Sequence, residues 1–231
     1  SSPMAMVAQA HALPDQLVTP FMLGVPKDAD ASQVMIAAEM SVKSGVMFVD
    51  GSTFSFNRKI DKAIREAYTV YRPIAGRYLS AMPSDAVMGL FVNVDGNKFI
   101  ELMRSNRSLQ AMLAGINAAI DMDNIIKSVD GDMAVITPKY LDDRLSMSMA
   151  AELAHAGWLS DVDYWKQSVP QGGRIIDWKE NAYKYTDGKT TFCFGVSADK
   201  QFYSGSSPED AMALLGQSET PISKALQQKV K

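Results

Sequence analysis

The sequence predicts an α+β fold: antiparallel β-sheets with helices packed on one face, built by partial internal duplication. Three observations carry this. Short runs of β-branched and aromatic residues separated by glycine turns predict hairpins, isolated amphipathic stripes predict a few helices, and two distant segments look like copies of one another. A chain of 231 residues, 47% hydrophobic and 21% charged, can bury a substantial core.

In chain order, residues 4–10 are small and apolar enough for a strand, which Leu13-Pro14-Asp15 breaks. Residues 18–23 read as a weaker edge strand, because Pro20 cannot donate to a ladder. Residues 34–42 and 46–49 read as a hairpin through Lys43-Ser44-Gly45, where glycine supplies a positive φ. Over 57–71 the period turns helical, with Ile60, Ile64, Ala67, Tyr68 and Tyr71 on one face. Arg58, Lys59, Lys62 and Arg65 lie around the rest and read as a solvated surface with local ion pairs rather than an anion site.

The stretch 82–138 carries the clearest local signals. Residues 86–94 are apolar almost throughout, as in a strand buried on both faces, and Asp95-Gly96 turns the chain. A short helix over 98–104 points Phe99, Ile100, Leu102 and Met103 inward, and a second carries Leu109, Met112, Leu113, Ile116 and Ile120. Asp121-Met122-Asp123-Asn124 caps a further turn over 125–129, and Asp130-Gly131-Asp132 launches a strand over 133–137. These carboxylates invite a calcium reading, but Ile125 and Ile126 stand where a calcium loop needs ligands and a glycine, so helix capping and, at Asp130-Gly131-Asp132, a turn explain them better. Met103 and Met112 read as core filler.

Beyond Pro138 a strand is expected over 145–150. Residues 158–182 hold all three tryptophans, Trp158, Trp165 and Trp178, with Tyr164 and a central Pro170-Gln171-Gly172-Gly173, and read as a long aromatic loop. Strands over 183–185 and 190–196 bracket Asp187-Gly188, a strong hairpin turn. A strand over 200–203 precedes a helix with Ser207 at its N-cap, Pro208 at its first position and Glu209 and Asp210 in its first turn. The polar tail after Thr220 reads as a short helix or a frayed end.

The duplication rests on two overlays. Val46-Met47-Phe48-Val49-Asp50-Gly51-Ser52-Thr53 lies over Lys200-Gln201-Phe202-Tyr203-Ser204-Gly205-Ser206-Ser207, each a strand ending in glycine and two hydroxyl residues before a helix. Ser2-Pro3-Met4-Ala5-Met6-Val7 lies over Gly131-Asp132-Met133-Ala134-Val135-Ile136. The chain is therefore divided into a first, amino-terminally truncated repeat at 1–76 and a second at 77–231 that contains the aromatic insertion at 158–182. On this division the chain is expected to be a piece of a longer protein.

Composition limits the chemistry. With 23 basic against 26 acidic residues, no field attracts a polyanion, so no nucleic-acid partner is expected. No apolar run approaches the length of a membrane-spanning helix. The lone cysteine, Cys193, forms no internal disulfide and reads as a small buried side chain. His11 and His155 have no nucleophile motif around them, and Gly172-Gly173-Arg174 lacks the spacing of a phosphate loop. Neither cofactor nor metal is expected. The candidate ligand site is the insertion: Trp158, Tyr164, Trp165 and Trp178 offer rings to stack on a sugar, and Asp161 and Asp163 offer carboxylates to its hydroxyls. Asp161, Asp163 or Asp177 would serve a glycosidase, the alternative to a non-enzymatic binding role. Tryptophans that merely pin the loop to the body are the competing explanation, and buried rings would favour it.

Ala118-Ala119-Ile120-Asp121-Met122-Asp123-Asn124-Ile125-Ile126-Lys127-Ser128-Val129-Asp130-Gly131-Asp132, with Asp163-Tyr164-Trp165-Lys166-Gln167-Ser168 and Phe202-Tyr203-Ser204-Gly205, resembles the family of exported Bacteroidetes proteins known as domain of unknown function 4836. The resemblance implies a cell-envelope lipoprotein whose lipidated amino terminus is missing here. It names no partner; the aromatic insertion points to a glycan, and an envelope location to another envelope protein, as candidates. It implies no activity and assigns no functional residue.

Overall fold

The computed structural model describes residues 4–14, 18, 21–22, 24–43, 46–105, 120–137, 140–141 and 144–230. The chain forms two compact units: Ser1–Val70 with Glu101–Leu113, and Tyr71–Ile100 with Ala114–Lys231. Both are built on antiparallel sheets with helices, an α+β fold.

The first unit is a three-stranded sheet of β1 (Met4–Gln9), β2 (Val34–Lys43) and β3 (Val46–Ser55), in that order. Alternation along β2 sends Val34, Ile36 and Ala38 to one face. There Val34 and Ile36 meet Ile64 of helix α1 (Arg58–Tyr68), together with Ala10, Val18 and Val25. The Asn57 side chain caps α1 by accepting from the backbone N–H of Lys59 and Ile60. The basic residues of α1 are exposed, Arg65 pairing with Asp61 at 2.7 Å and Lys62 with Glu66 at 3.6 Å. The helix stops at Tyr68, three residues short of the expected end at 71, with Thr69 as its C-cap. Of the strand expected over 18–23, residues 19, 20 and 23 lie outside the described residues. Val18 is helical and buried, and Phe21 lies in a 3-10 turn.

The second unit is an eight-stranded antiparallel sheet. Its strands are β4 (Tyr71–Arg72), β5 (Met88–Asp95), β6 (Val129–Thr137), β9 (Ser148–Leu153), β10 (Arg174–Lys179), β11 (Ala182–Thr186), β12 (Thr191–Val196) and β13 (Gln201–Gly205), ordered β10-β11-β12-β13-β9-β6-β5-β4. A separate two-stranded ladder, β7 (Tyr140–Leu141) and β8 (Arg144–Leu145), lies between β6 and β9 in sequence. Helix α2 (Gly96–Ser105) follows β5, its residues from Glu101 onward counting with the first unit, and α3 (Met122–Lys127), capped by Asp121, leads into β6. The helix expected around Leu109 to Ile116 lies outside the described residues. Helix α5 (Pro208–Met212), capped by Ser207, lies on one sheet face, where Ala211 packs on Tyr203, Cys193 and Ala182. On that face Tyr78 and Ala81 also cover Ala134, Ile136 and Ala150, with Leu214. Helix α6 (Lys224–Val230) occupies the tail.

Residues 158–182 do not form a loop. A 3-10 turn (Gly157–Asp161) runs into helix α4 (Val162–Ser168), and after a turn at 170–173 the chain enters β10. This adds a helical layer on the sheet face opposite α5. Each piece is short, so its periodicity is invisible in the sequence, but burial of Trp158, Val162 and Trp165 fixes it in place.

The two units share strand order, polarity and the helix after the third strand: β1-β2-β3-α1 and β6-β9-β13-α5. Gly51 pairs with Ala38, which pairs with Met6, while Gly205 pairs with Ser148, which pairs with Ile136. Matching the two glycines therefore sets Met6 over Ile136, where the sequence overlay sets Val7. A one-residue slip exchanges the faces of a strand, and β1 is too small and apolar on both faces for its sequence to fix the register.

Candidate functional site

The aromatic segment brings some of the expected residues together and separates others. Trp158 and Trp165 stack at 5.9 Å, with planes 16° apart. Trp158 meets the edge of Phe202, and Trp165 leans on Phe194, which also meets Tyr183 and Phe192. Both tryptophans are buried, 4% and 6% exposed, so neither ring offers a face to a sugar. They pin α4 to the sheet through their large apolar area. Trp178 is on the other face: it meets Tyr203, and Lys179 Nζ stands 4.8 Å over its ring.

The carboxylates of the segment are held by charge. Lys166 Nζ reaches Asp177 at 2.8 Å and Asp163 at 3.3 Å, and lies 5.4 Å over the Tyr183 ring. The hydrogen bond to Asp177 is the largest cause holding the Lys166 ammonium above its ordinary pKa. Asp163 and Asp177 are exposed, and both are paired with the one Lys166 ammonium. Asp161 precedes α4 without making a side-chain cap, and Tyr164 stands 70% exposed. The surface formed by Tyr164, Asp163 and Lys166 is what remains of the expected ligand site.

A second polar constellation escaped sequence reading. Asp132, 2% exposed, accepts from the backbone N–H of Ala75 (2.9 Å), Gly76 (2.6 Å) and Arg77 (2.8 Å), and from Asn93 Nδ2 (2.8 Å). Burial by itself would raise its pKa. The bonds from Arg77, Ala75, Asn93 and Gly76 together outweigh that and hold the carboxyl below its ordinary value. Gly76 has φ +91°, a conformation that helps three successive N–H groups converge on one carboxylate. Glu152 accepts from the Asp132 backbone N–H at 2.7 Å and pairs with Arg77, which also pairs with Asp199. Asp199 in turn accepts from Ser197 and Gln201, and Arg72 bridges Asn93 and Asp130.

Beneath this network the Tyr78 hydroxyl is buried and has no hydrogen-bond partner among the described residues. Burial pushes its pKa far above the ordinary value, and the neighbouring Glu152 charge adds to this, so it is a neutral phenol at any physiological pH. The network's chemistry is that of a staple: backbone N–H groups bound to Asp132, and the Arg77 guanidinium paired with Glu152 and Asp199, fasten the segment at 75–77 to the sheet. Its only sequence signal was Asp130-Gly131-Asp132, read as a turn, and the partners of Asp132 are remote in sequence. Cys193 is fully buried, and burial raises its thiol pKa, which suits a packing role and not a nucleophile. Among the described residues, no group of three His, Cys, Asp or Glu could hold a metal ion, and no helix is long and apolar enough to cross a membrane.

Compared with protein-family models, curated proteins and solved structures, the chain matches none.

The most site-like surface is apolar and belongs to the first unit. On the face of its sheet that buries Val34 and Ile36, the far half is open: Met4 (58% exposed), Met6 (43%), Val42 (59%), Met47 (61%) and Val49 (51%), with Met40 half-buried between them. The ladders place these on one face, Met4 beside Met40 beside Val49, and Val42 beside Met47. A contiguous patch of this kind on a sheet is a contact surface in waiting.

Proposed function

We propose that the chain is a non-enzymatic binding or assembly module of the cell envelope. The observation that carries the reading is the open apolar half of the β1-β2-β3 sheet, which gives the molecule a surface for another protein. The envelope placement draws on the resemblance of residues 118–132, 163–168 and 202–205 to the exported family named above. The hydrolase alternative loses its support: Trp158 and Trp165 are buried, Trp178 is capped by Lys179, and Asp163 and Asp177 are tied to Lys166.

Fractionation of the source cells, with antibody detection, should find the protein in the envelope fraction. A panel of glycoside, ester and peptide substrates should show no turnover. Detection only in the cytosol would remove the envelope placement, and turnover abolished by Asp163→Ala would remove the non-enzymatic reading.

A further inference from the structure

Lys179 carries its charge into an aromatic corner of the second unit. Its Nζ stands 4.8 Å over the ring of Trp178 and 5.5 Å over that of Tyr203, and it donates to Met212 Sδ at 2.9 Å. The two rings meet edge to face with planes 73° apart, so they form two walls of a well and the thioether forms a third. Among the described residues no carboxylate pairs with this ammonium, which π faces and sulfur hold instead. The other engaged lysine of the segment, Lys166, has two carboxylates.

The backbone builds this corner. Regular alternation sends adjacent strand residues to opposite faces, but the register shift between Asp177 and Lys179 lets Trp178 and Lys179 share the face of α5. Lys179 heads a row that crosses the sheet through Ala182 and Gly195 to Tyr203. The two middle positions carry a methyl group and no side chain, so Lys179 and Tyr203 meet over them. Tyr203 is 2% exposed, whereas Lys179 and Met212 lie at the surface, so the lysine is the plug between the ring and solvent.

A primary ammonium is not the cation this well suits best. It has three N–H donors, and the structure engages one of them, on a weak acceptor. A quaternary ammonium has no N–H to satisfy and spreads its charge over methyl groups, the form of cation that Trp and Tyr faces recognise. We propose that the well between Trp178, Tyr203 and Met212 binds a trimethylammonium group and that Lys179 closes it until such a ligand displaces the lysine. The ligand's cation takes the place of Nζ, and the Lys179 stem swings into water without breaking an ion pair. This surface is a different one from the apolar sheet face on which the proposed function rests.

The probe is choline, titrated into the full chain by calorimetry. Lys179→Ala, a change at an exposed edge position, empties the well and should bind choline saturably, at least about tenfold more tightly than the unsubstituted chain, which must first release its lysine. Dimethylbutanol, the neutral carbon isostere of choline, should not bind. Adding Trp178→Leu to Lys179→Ala keeps apolar bulk but removes the π face, and should abolish binding. The Met212 methyl resonance, assigned by its loss in Met212→Leu, should shift with choline and not with the alcohol. Cosedimentation of the same variants with phosphatidylcholine vesicles tells a lipid headgroup from a free ligand, and binding of either that Trp178→Leu abolishes supports the site. Failure of both to bind the Lys179→Ala chain, equal binding of the alcohol, or equal affinity with and without Lys179 would overturn the proposal. None of these outcomes bears on substrate turnover or cell fraction, so it can fail while the proposed function stands.

Discussion

Trp158 and Trp165 stack almost parallel, 5.9 Å apart, inside the layer that α4 forms over the sheet. Trp165 also touches Phe194, so removing its ring opens a cavity between helix and strand. Trp165→Ala should destabilise the chain by about 3–5 kcal/mol, and Tyr164→Ala, beside it but exposed, by well under ~1 kcal/mol. Urea unfolding followed by far-UV circular dichroism measures both, and comparable losses would contradict the packing described.

The Asp132 carboxylate has its pKa lowered in the folded chain. The stability it contributes is therefore fully present above the ordinary unfolded value of about 4 and is lost as pH falls through the folded value. Asp132→Asn should cost about 1.5–3 kcal/mol at neutral pH, since charge-assisted bonds are replaced by neutral ones. It should also flatten the fall in stability on acidification below about pH 4. Unfolding free energies measured from pH 7 down to pH 3 for both proteins test this, and parallel curves would refute it.

Gly205 has no room for a side chain: a Cβ there would stand 2.2 Å from the Ala211 backbone nitrogen and 2.5 Å from the Asp210 carbonyl carbon. Gly205→Ala must push the start of α5 away from the sheet and should cost about 1–3 kcal/mol or more. At Gly51 the obstruction is the ring of Phe21, which can turn aside, so Gly51→Ala should cost less. The midpoints of denaturant unfolding rank the two, and a smaller loss at Gly205 would contradict the close approach of α5.

Local chemistry was readable wherever it is decided by neighbours in sequence. Ser207-Pro208 starts a helix, Asp121 caps one, and Asp187-Gly188 turns a hairpin in which Asp187 accepts from Lys189 and Thr190. The two glycines of the overlaid segments were visible too, and the structure supplies their reason in Phe21 and Ala211. What was illegible depends on distance. Asp132 looked like a turn residue because its donors at 75–77 are brought to it only by the sheet. The aromatic segment looked like a loop because α4 has only seven residues, too few to display a stripe. Trp178 could not be assigned a face, since the register shift between Asp177 and Lys179 breaks the alternation on which such a reading depends.

The placement of β9 beside β13 has a consequence for how the sheets assemble. In the first unit the corresponding strands, β2 and β3, are separated only by residues 44–45, so their ladder can close as soon as both have left the ribosome. In the second, the whole of α4 and the β10-β11-β12 meander must emerge before β13 can reach β9. Loop closure over that span delays the pairing that joins the meander to the rest of the sheet. Until then, β9 is an unpaired edge rich in buried-type residues, Ser-Met-Ala-Ala-Glu-Leu. The nascent second unit is thus exposed to mispairing during synthesis in a way that the first is not.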